Sequence, residues 1–283
     1  MKINKQTNFL IVGLGLIGGS YAIGLKKQGY LVQAIDNNEE TIKYALKHNI
    51  IDHGSCESDA FIEESNIIIS GLYPQALIDW ATENSLKFKE GTIITDVSGV
   101  KSNVVDKIQA VIPCSVEFIG SHPMAGKETS GVMNADENIF KGANFIITPT
   151  KYNTDEAIET LTRFAKIFGF GNISVLTPQQ HDEMIGFVSQ LTHVIAVSLM
   201  NTNDNTHLKE YTGDSFRDLT RIAKINENLW TELFFLNKDI LIKEIESFDS
   251  ELNNLKHKLI NDDHEGLKQL FIQSTKRRKY FDK

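Results

Sequence analysis

The sequence predicts an α/β fold, a doubly wound and mostly parallel sheet followed by an all-helical domain. Three observations predict it. Short β-branched runs alternate with helical patterns through the first half of the chain, the strand signal stops near residue 176, and a G-x-G-x-x-G cluster follows the first apolar run directly. With 283 residues there is room for two domains, and a hydrophobic share of 41% is enough to give each a core. We divide the chain into residues 1–176, the sheet domain, and 177–283, the helical domain.

The strands are read in order from "FLIVG" at Phe9, "LVQAID" at Leu31, "NIIIS" at Asn66, "GTIITDV" at Gly91, "VEFIG" at Val116 and "NFIIT" at Asn144, with "NISVLT" at Asn172 as the last. Such runs, separated by helices, belong to a parallel sheet covered on both faces. "TPQQHDEM" then starts a helix, with Thr177 as N-cap and Pro178 at the first helical position. After Trp230, the residues Leu233, Leu236, Ile240, Ile245, Phe248, Leu252, Leu255 and Leu259 recur mostly at three- and four-residue steps, an apolar stripe on one long helix. So small a helical domain has little of its own chain to cover that stripe, so a homodimer through the helical domain is expected. An intrachain bundle is the open alternative.

Composition narrows the function. The excess of 37 acidic over 29 basic residues argues against a protein that tracks nucleic-acid phosphates. "KRRK" at Lys276 to Lys279 reads as a solvated helix end. Cys56 and Cys114 have no metal-type spacing, so neither zinc nor a disulfide is expected and a reducing cytoplasm fits. No targeting signal is visible, and the first apolar run is too short to span a bilayer, so no membrane partner is expected. His48, His53, His181, His207, His257 and His264 show no pairing that demands a metal.

Gly13, Gly15 and Gly18, with Leu16 and Ile17 between the last two, form the glycine cluster. Placed between a strand and a helix it is a dinucleotide-binding fingerprint. Gly13 permits the tight turn, Gly15 admits the pyrophosphate to the backbone, Gly18 lets helix and strand pack closely, and the helix N-terminus faces the anion. Asp36, ending the second strand, would accept hydrogen bonds from the adenosine ribose and repel a 2′-phosphate, which favours NAD over NADP. Lys26 and Lys27 leave the phosphate question open. "SGLYP" places Leu72 and Pro74 where such a sheet meets its cofactor, although a plain strand-ending turn explains it equally well.

A second cluster, "GSHPMAGKETSG" at Gly120 to Gly131, sets His122 against Pro123 with Glu128 six residues on. Glycines weaken regular structure and ionisable groups in a loop must be satisfied, so this combination reads as a site rather than as packing.

"GLGLIGGS", "GSHPMAGKETSG", "SQLTHVIA" and "SFRDLTRIAKINENLW" together resemble the TyrA family of prephenate and arogenate dehydrogenases, over nearly the whole chain and in the same order. The resemblance implies a Rossmann-type N-terminal domain, a helical C-terminal dimerisation domain and a site between them. It implies NAD-dependent oxidative decarboxylation, in which a hydride leaves C4 of a cyclohexadienol ring, the ring carboxylate leaves as CO2, and the ring becomes aromatic. His122 then matches the catalytic histidine that accepts the C4 hydroxyl proton. Arg221 matches the arginine that holds a substrate carboxylate. For the others the family role competes with a plainer one: Glu128 as part of a gating ionic network or as a surface carboxylate, His193 as a pocket group or a core histidine, Trp230 as a pocket wall or a helix anchor, and Arg217 as a substrate ligand or a structural partner of Asp218.

One departure stands out. Where the family carries a serine directly before valine and lysine, this chain reads "TDVSGVK", with Gly99 in that place and Ser98 before it. Either Ser98 substitutes as the group orienting His122 and the nicotinamide, or a weaker contact or a water does. Prephenate dehydrogenase is the leading expectation. Arogenate dehydrogenase, a β-hydroxyacid dehydrogenase and a catalytically silent NAD-binding sensor are the alternatives.

Overall fold

The structure, a computed structural model, describes residues 3–282. Strands β1 (Asn8–Val12), β2 (Leu31–Ile35), β3 (His53–Ser55), β4 (Ile67–Ser70), β5 (Ile93–Asp96) and β6 (Glu117–Phe118) form one sheet in the order β3-β2-β1-β4-β5-β6, every pair parallel. Helices α1 (Leu16–Lys27), α2 (Glu39–Lys47), α3 (Pro74–Glu83), α4 (Ser102–Gln109) and α5 (Asp155–Ile167) pack around it. Successive residues of β1 enter different cores. Phe9 and Ile11 meet Tyr21 and Leu25 of α1 and Phe164 of α5, whereas Leu10 and Val12 belong with Leu77 and Trp80 of α3 and Val104 of α4. A strand buried on both faces must be apolar throughout, which is why "FLIV" shows no alternation.

The strand expected at Val116 is split. Ile119 N–H still bonds Ile94 O at 2.9 Å, but β5 ends at Asp96, and the next ladder donor, Ser121 N–H, goes to the Asp96 carboxylate at 3.1 Å. The chain leaves the main sheet there as β7 (Gly120–Pro123), antiparallel to β8 (Asn144–Thr148), which is parallel to β9 (Asn172–Val175). "NFIIT" and "NISVLT" therefore build a separate three-stranded sheet rather than extending the first. Glycine is required at the corner, since a Cβ on Gly120 would lie 2.4 Å from Thr148 Oγ1. Strand β3, three residues long, was too short to show a period in the sequence.

Thr177 closes a capping box with Gln180 and starts α6 (Pro178–Ile185), as the sequence predicts. A π-helical segment, Gly186–Leu191, joins it to α7 (Thr192–Asn201). By length and apolarity the rod 178–201 could cross a bilayer, but it carries the fully buried His181 and the buried Ile185 and Leu191 into the globular body. Helices α8 (Asp214–Thr220), α9 (Glu227–Leu236), α10 (Lys238–Ile260) and α11 (His264–Arg278) follow. The stripe expected on one long helix is thus shared by α9 and α10 and broken at Asn237. This buried amide donates to Asp182 O at 3.0 Å and Gln190 Oε1 at 2.8 Å, and those bonds hold the non-helical backbone between the two helices. Before the break, Leu233 packs into the sheet's second core. Beyond it, Phe248, Leu252 and Leu259 of α10 and Phe271 and Ile272 of α11 stay exposed.

Gly18 gives a test of the strand-to-helix packing. A Cβ there would sit 2.0 Å from Gly13 O, backbone against backbone. Gly18→Ala should cost about 1–3 kcal/mol, the usual price of forced overpacking, and weaken dinucleotide binding. Urea unfolding and NAD titration check both, and unchanged values would refute the close-packing role.

Candidate active site

The first cluster of site residues surrounds the turn after β1. Gly13 has φ +93°, and a Cβ on it would meet Leu72 Cδ2 at 3.1 Å. Above Gly15 nothing lies within 4 Å of where a Cβ would be, so the backbone can be approached. Helix α1 begins at Leu16 without a side-chain cap, leaving first-turn N–H groups for an anion, with Ile17 half-buried behind them. Asp36 Oδ2 accepts from Leu14 N–H at 2.8 Å and Oδ1 from Asn38 N–H at 2.9 Å, which fixes the carboxylate beside the glycine turn. Pro74 opens α3 beyond Leu72. Lys26 is paired with Asp52 at 2.5 Å and Lys27 with Glu137, so both cations already have carboxylate partners. An open backbone, free helix N–H groups and a fixed carboxylate suit a dinucleotide.

His122 lies on β7, not in a loop. Its Nδ1 is 2.9 Å from Nε2 of His181, whose Nδ1 is 2.8 Å from Asp182 Oδ1. Asp182 is held in turn by Lys101 N–H and Ser102 N–H, each at 2.8 Å. Burial pushes His122 well below its ordinary pKa, and the neighbouring His181 and Lys101 add to the effect. Burial also lowers His181, against the opposing bond to Asp182. Asp182 would be raised by burial, but the bonds from His181 and Ser102 outweigh that and hold it below the usual carboxylate range. The result is a neutral imidazole backed by an anion two groups away.

The structure does not bring Ser98 to His122. Its hydroxyl donates to Asp96 and lies 2.8 Å from Val100 O, while Lys101 Nζ reaches it at 3.2 Å. Asp96 and Lys101 form a fully buried ion pair at 2.6 Å. Ser98 therefore completes that pair instead of orienting the histidine. Its alternating neighbour faces the site, because a Cβ on Gly99 would stand 3.9 Å from His122 Cε1 and 3.4 Å from Leu233.

The remaining residues form three groups. Glu128, after β7, makes a direct ion pair with Arg221, at the end of α8. His193 donates from Nδ1 to Ser189 O at 2.9 Å and stacks on Trp230 with ring centroids 3.6 Å apart. Arg217 is paired with Asp214 at 2.5 Å and donates to Thr212 O at 3.0 Å, and so belongs to α8's own turn, not to Asp218. Sequence reasoning missed His181, Asp182, Lys101 and Asp96. The available signal was the adjacent "HD" in the middle of α6, with Ile185 four residues after His181 on the same buried face.

A glycine-turn sheet domain, a helical domain docked on it, and a half-buried histidine at the junction define a dinucleotide-dependent oxidoreductase of two domains. Comparison with known proteins specifies which. The family description "Prephenate dehydrogenase, nucleotide-binding domain" matches residues 21–174, and "Prephenate dehydrogenase, dimerization domain" matches residues 177–273. The chain is 31% identical over 277 residues to the prephenate dehydrogenase of Bacillus subtilis, covering 94% of this chain and 74% of that one. It is 32% identical over 275 residues to that of Lactococcus lactis, covering 94% and 75%. A crystal structure of prephenate dehydrogenase from A. aeolicus, in complex with hydroxyphenyl propionate and NAD+, superimposes with a TM-score of 0.89 at 30% identity, covering 98% of each chain. The chain belongs to the TyrA family of prephenate/arogenate dehydrogenases.

Because Ser98 serves the buried ion pair, Ser98→Ala should lower stability by about 1–3 kcal/mol, the cost of leaving a buried polar group unpaired, and leave kcat within a few fold. Denaturant unfolding and steady-state kinetics separate the two. A large kcat loss at unchanged stability would return Ser98 to the catalytic group.

Proposed function

We propose that this protein catalyses the NAD-dependent oxidative decarboxylation of prephenate to 4-hydroxyphenylpyruvate. The observation that carries the reading is His122, a neutral base beside the inter-domain contact of Gly99 and Leu233, in a chain whose relatives named above are prephenate dehydrogenases. Gly13, Gly15, Gly18 and the start of α1 would hold the pyrophosphate, with Asp36 on the adenosine ribose. Leu72 and Pro74 would lie along the cofactor. Asp36, together with the pairing of Lys26 and Lys27, supports NAD over NADP. When bound, the dinucleotide supplies the hydride acceptor at C4.

The chain's own groups do the rest. His122 takes the C4 hydroxyl proton as the hydride leaves, so that the oxygen forms the carbonyl. The bond from the ring to its carboxylate then breaks, its electrons enter the ring, CO2 departs, and the phenolate oxygen takes the proton back from His122 to give the phenol. Arg221 binds a substrate carboxylate bidentately, exchanging Glu128 for it. His193 and Trp230 form a flat wall for the ring. Arg217, held by Asp214, supports α8 and does not contact substrate. Phe248, Leu252, Phe271 and Ile272 are covered by a second copy of the chain, which the match to the dimerization domain supports. Two free cysteines, Cys56 and Cys114, are in keeping with a cytoplasmic location.

NADH formation from prephenate, compared with arogenate and with NADP, tests the assignment. Turnover on prephenate with NAD is expected, whereas arogenate alone, or neither substrate, would overturn it. His122→Gln should lower kcat about 100- to 10,000-fold with KM little changed. Since burial depresses His122, the base is charged only below its lowered pKa. The acid limb of kcat/KM should therefore fall below pH ~6.5, the ordinary histidine value. A limb at or above it would contradict a buried neutral base. Leu252→Glu, on the exposed stripe, should convert a particle of about twice 31.8 kDa into a monomer in light scattering. An unchanged mass would place the interface elsewhere.

A further inference from the structure

We infer that Asp182 and His181 are positioning residues that lock the tautomer of His122, placing its proton on Nδ1 and its free lone pair on Nε2. The inference rests on the reading of His122 as the base.

Both carboxylate oxygens of Asp182 are fixed by backbone, Oδ1 on Lys101 N–H and Oδ2 on Ser102 N–H, each at 2.8 Å. Asn237 holds the same residue's carbonyl at 3.0 Å, so the residue is pinned at side chain and main chain alike. An ionised carboxylate only accepts, so His181 Nδ1, 2.8 Å from Oδ1, must be the donor. His181 is fully buried and, in its neutral form, carries one ring proton, so its Nε2 offers a lone pair. Across 2.9 Å that lone pair faces His122 Nδ1, which must therefore carry the proton. The opposite tautomer of His122 would set two lone pairs against each other where no water reaches His181. Only Nε2 of His122 remains free to take a proton from substrate.

The same chain serves the charged state. Once His122 has taken the proton, its Nδ1–H still donates to His181, and the Asp182 charge stabilises the cation through that ring. The nearby Lys101 ammonium opposes it, and Asp96 neutralises Lys101 at 2.6 Å. An aspartate that orients a neutral imidazole and stabilises its cation is a known way to set a histidine base, and removing the carboxylate leaves the wrong tautomer. Here a second imidazole is interposed.

The tautomer can be read without turnover. Long-range 1H–15N correlation spectra of the 15N-labelled, substrate-free protein distinguish protonated from bare ring nitrogens, with the His122 signals assigned by their loss in His122→Gln. Wild type should show His122 protonated on Nδ1. In Asp182→Leu a side chain of similar size offers His181 Nδ1 no acceptor, so the His181 proton should move to Nε2, where His122 Nδ1 can accept it, and the His122 proton to its own Nε2. The kcat should then fall on the order of 100-fold or more, with KM for prephenate unchanged. If Asp182→Leu fails to fold, His181 supplies the test. His181→Gln has an amide that can donate to Asp182 and accept from His122, so it should keep the Nδ1 tautomer and most of the rate. His181→Phe keeps the ring but no lone pair, and should lose both. His122 protonated on Nε2 in wild type, or an unchanged tautomer in Asp182→Leu and His181→Phe, would overturn the inference. Absence of any dehydrogenase activity in wild type would instead sink the functional reading, leaving the tautomer result to stand.

Discussion

The site hangs on one buried carboxylate. Asp96, at the end of β5 and fully inaccessible, is satisfied by Ser98 N–H at 3.0 Å, the Ser98 hydroxyl, the Lys101 ammonium at 2.6 Å and Ser121 N–H at 3.1 Å, while its own carbonyl accepts from Ser121 Oγ at 2.8 Å. A charge removed from water is tolerated only with such a set of donors, and losing one partner of a buried ion pair typically costs about 3–5 kcal/mol. Each donor also fixes a piece of chain. Ser121, the second residue of β7, precedes His122 and so aims it, and Lys101 carries its own N–H to Asp182. The ion pair at the sheet end therefore sets both ends of the histidine relay.

The π-helical segment Gly186–Leu191 lets one rod serve two sites. Its extra width brings Gly186 against α10, where a Cβ would be 2.7 Å from Ile240, and leaves Ser189 O free for the hydroxyl of Thr192 at 2.6 Å and the ring of His193 at 2.9 Å. Gln190 turns inward, accepting from Asn237 and donating to Leu233 O at 3.1 Å. Buried polar groups that are all paired specify one register, so His181 at one end of the rod and His193 past the bulge hold fixed orientations. Thr192 has a structural task here, its hydroxyl donating to that carbonyl.

What the sequence made legible follows from the range of the interactions. The glycine turn, Asp36 and the Thr177 cap are local, decided within a few residues or by the step from one strand to the next, and the structure places them where spacing predicts. The break at Gly120 was illegible because it depends on Thr148 and Asp96, far along the chain. The break at Asn237 was hidden because an asparagine inside a leucine stripe looks like a solvated position until Asp182 and Gln190 are brought to it. His181 was missed for the same reason. Its partner is 59 residues away, and "HD" inside a short helix reads as ordinary surface polarity. The choice left open at Ser98 turns on backbone alternation, which sets its hydroxyl in the interior and leaves Gly99 facing the histidine.

Gly99 removes one support from His122 and burial removes water, so the ring depends on what remains. Burial alone would make a poor base, since an imidazole held far below its usual pKa takes up protons reluctantly. One feature offsets this. Asp182 supplies negative charge that water would otherwise have provided, at a fixed distance and without reorganisation during the reaction. The ring is thus held neutral in the free protein, with an anion fixed two groups away.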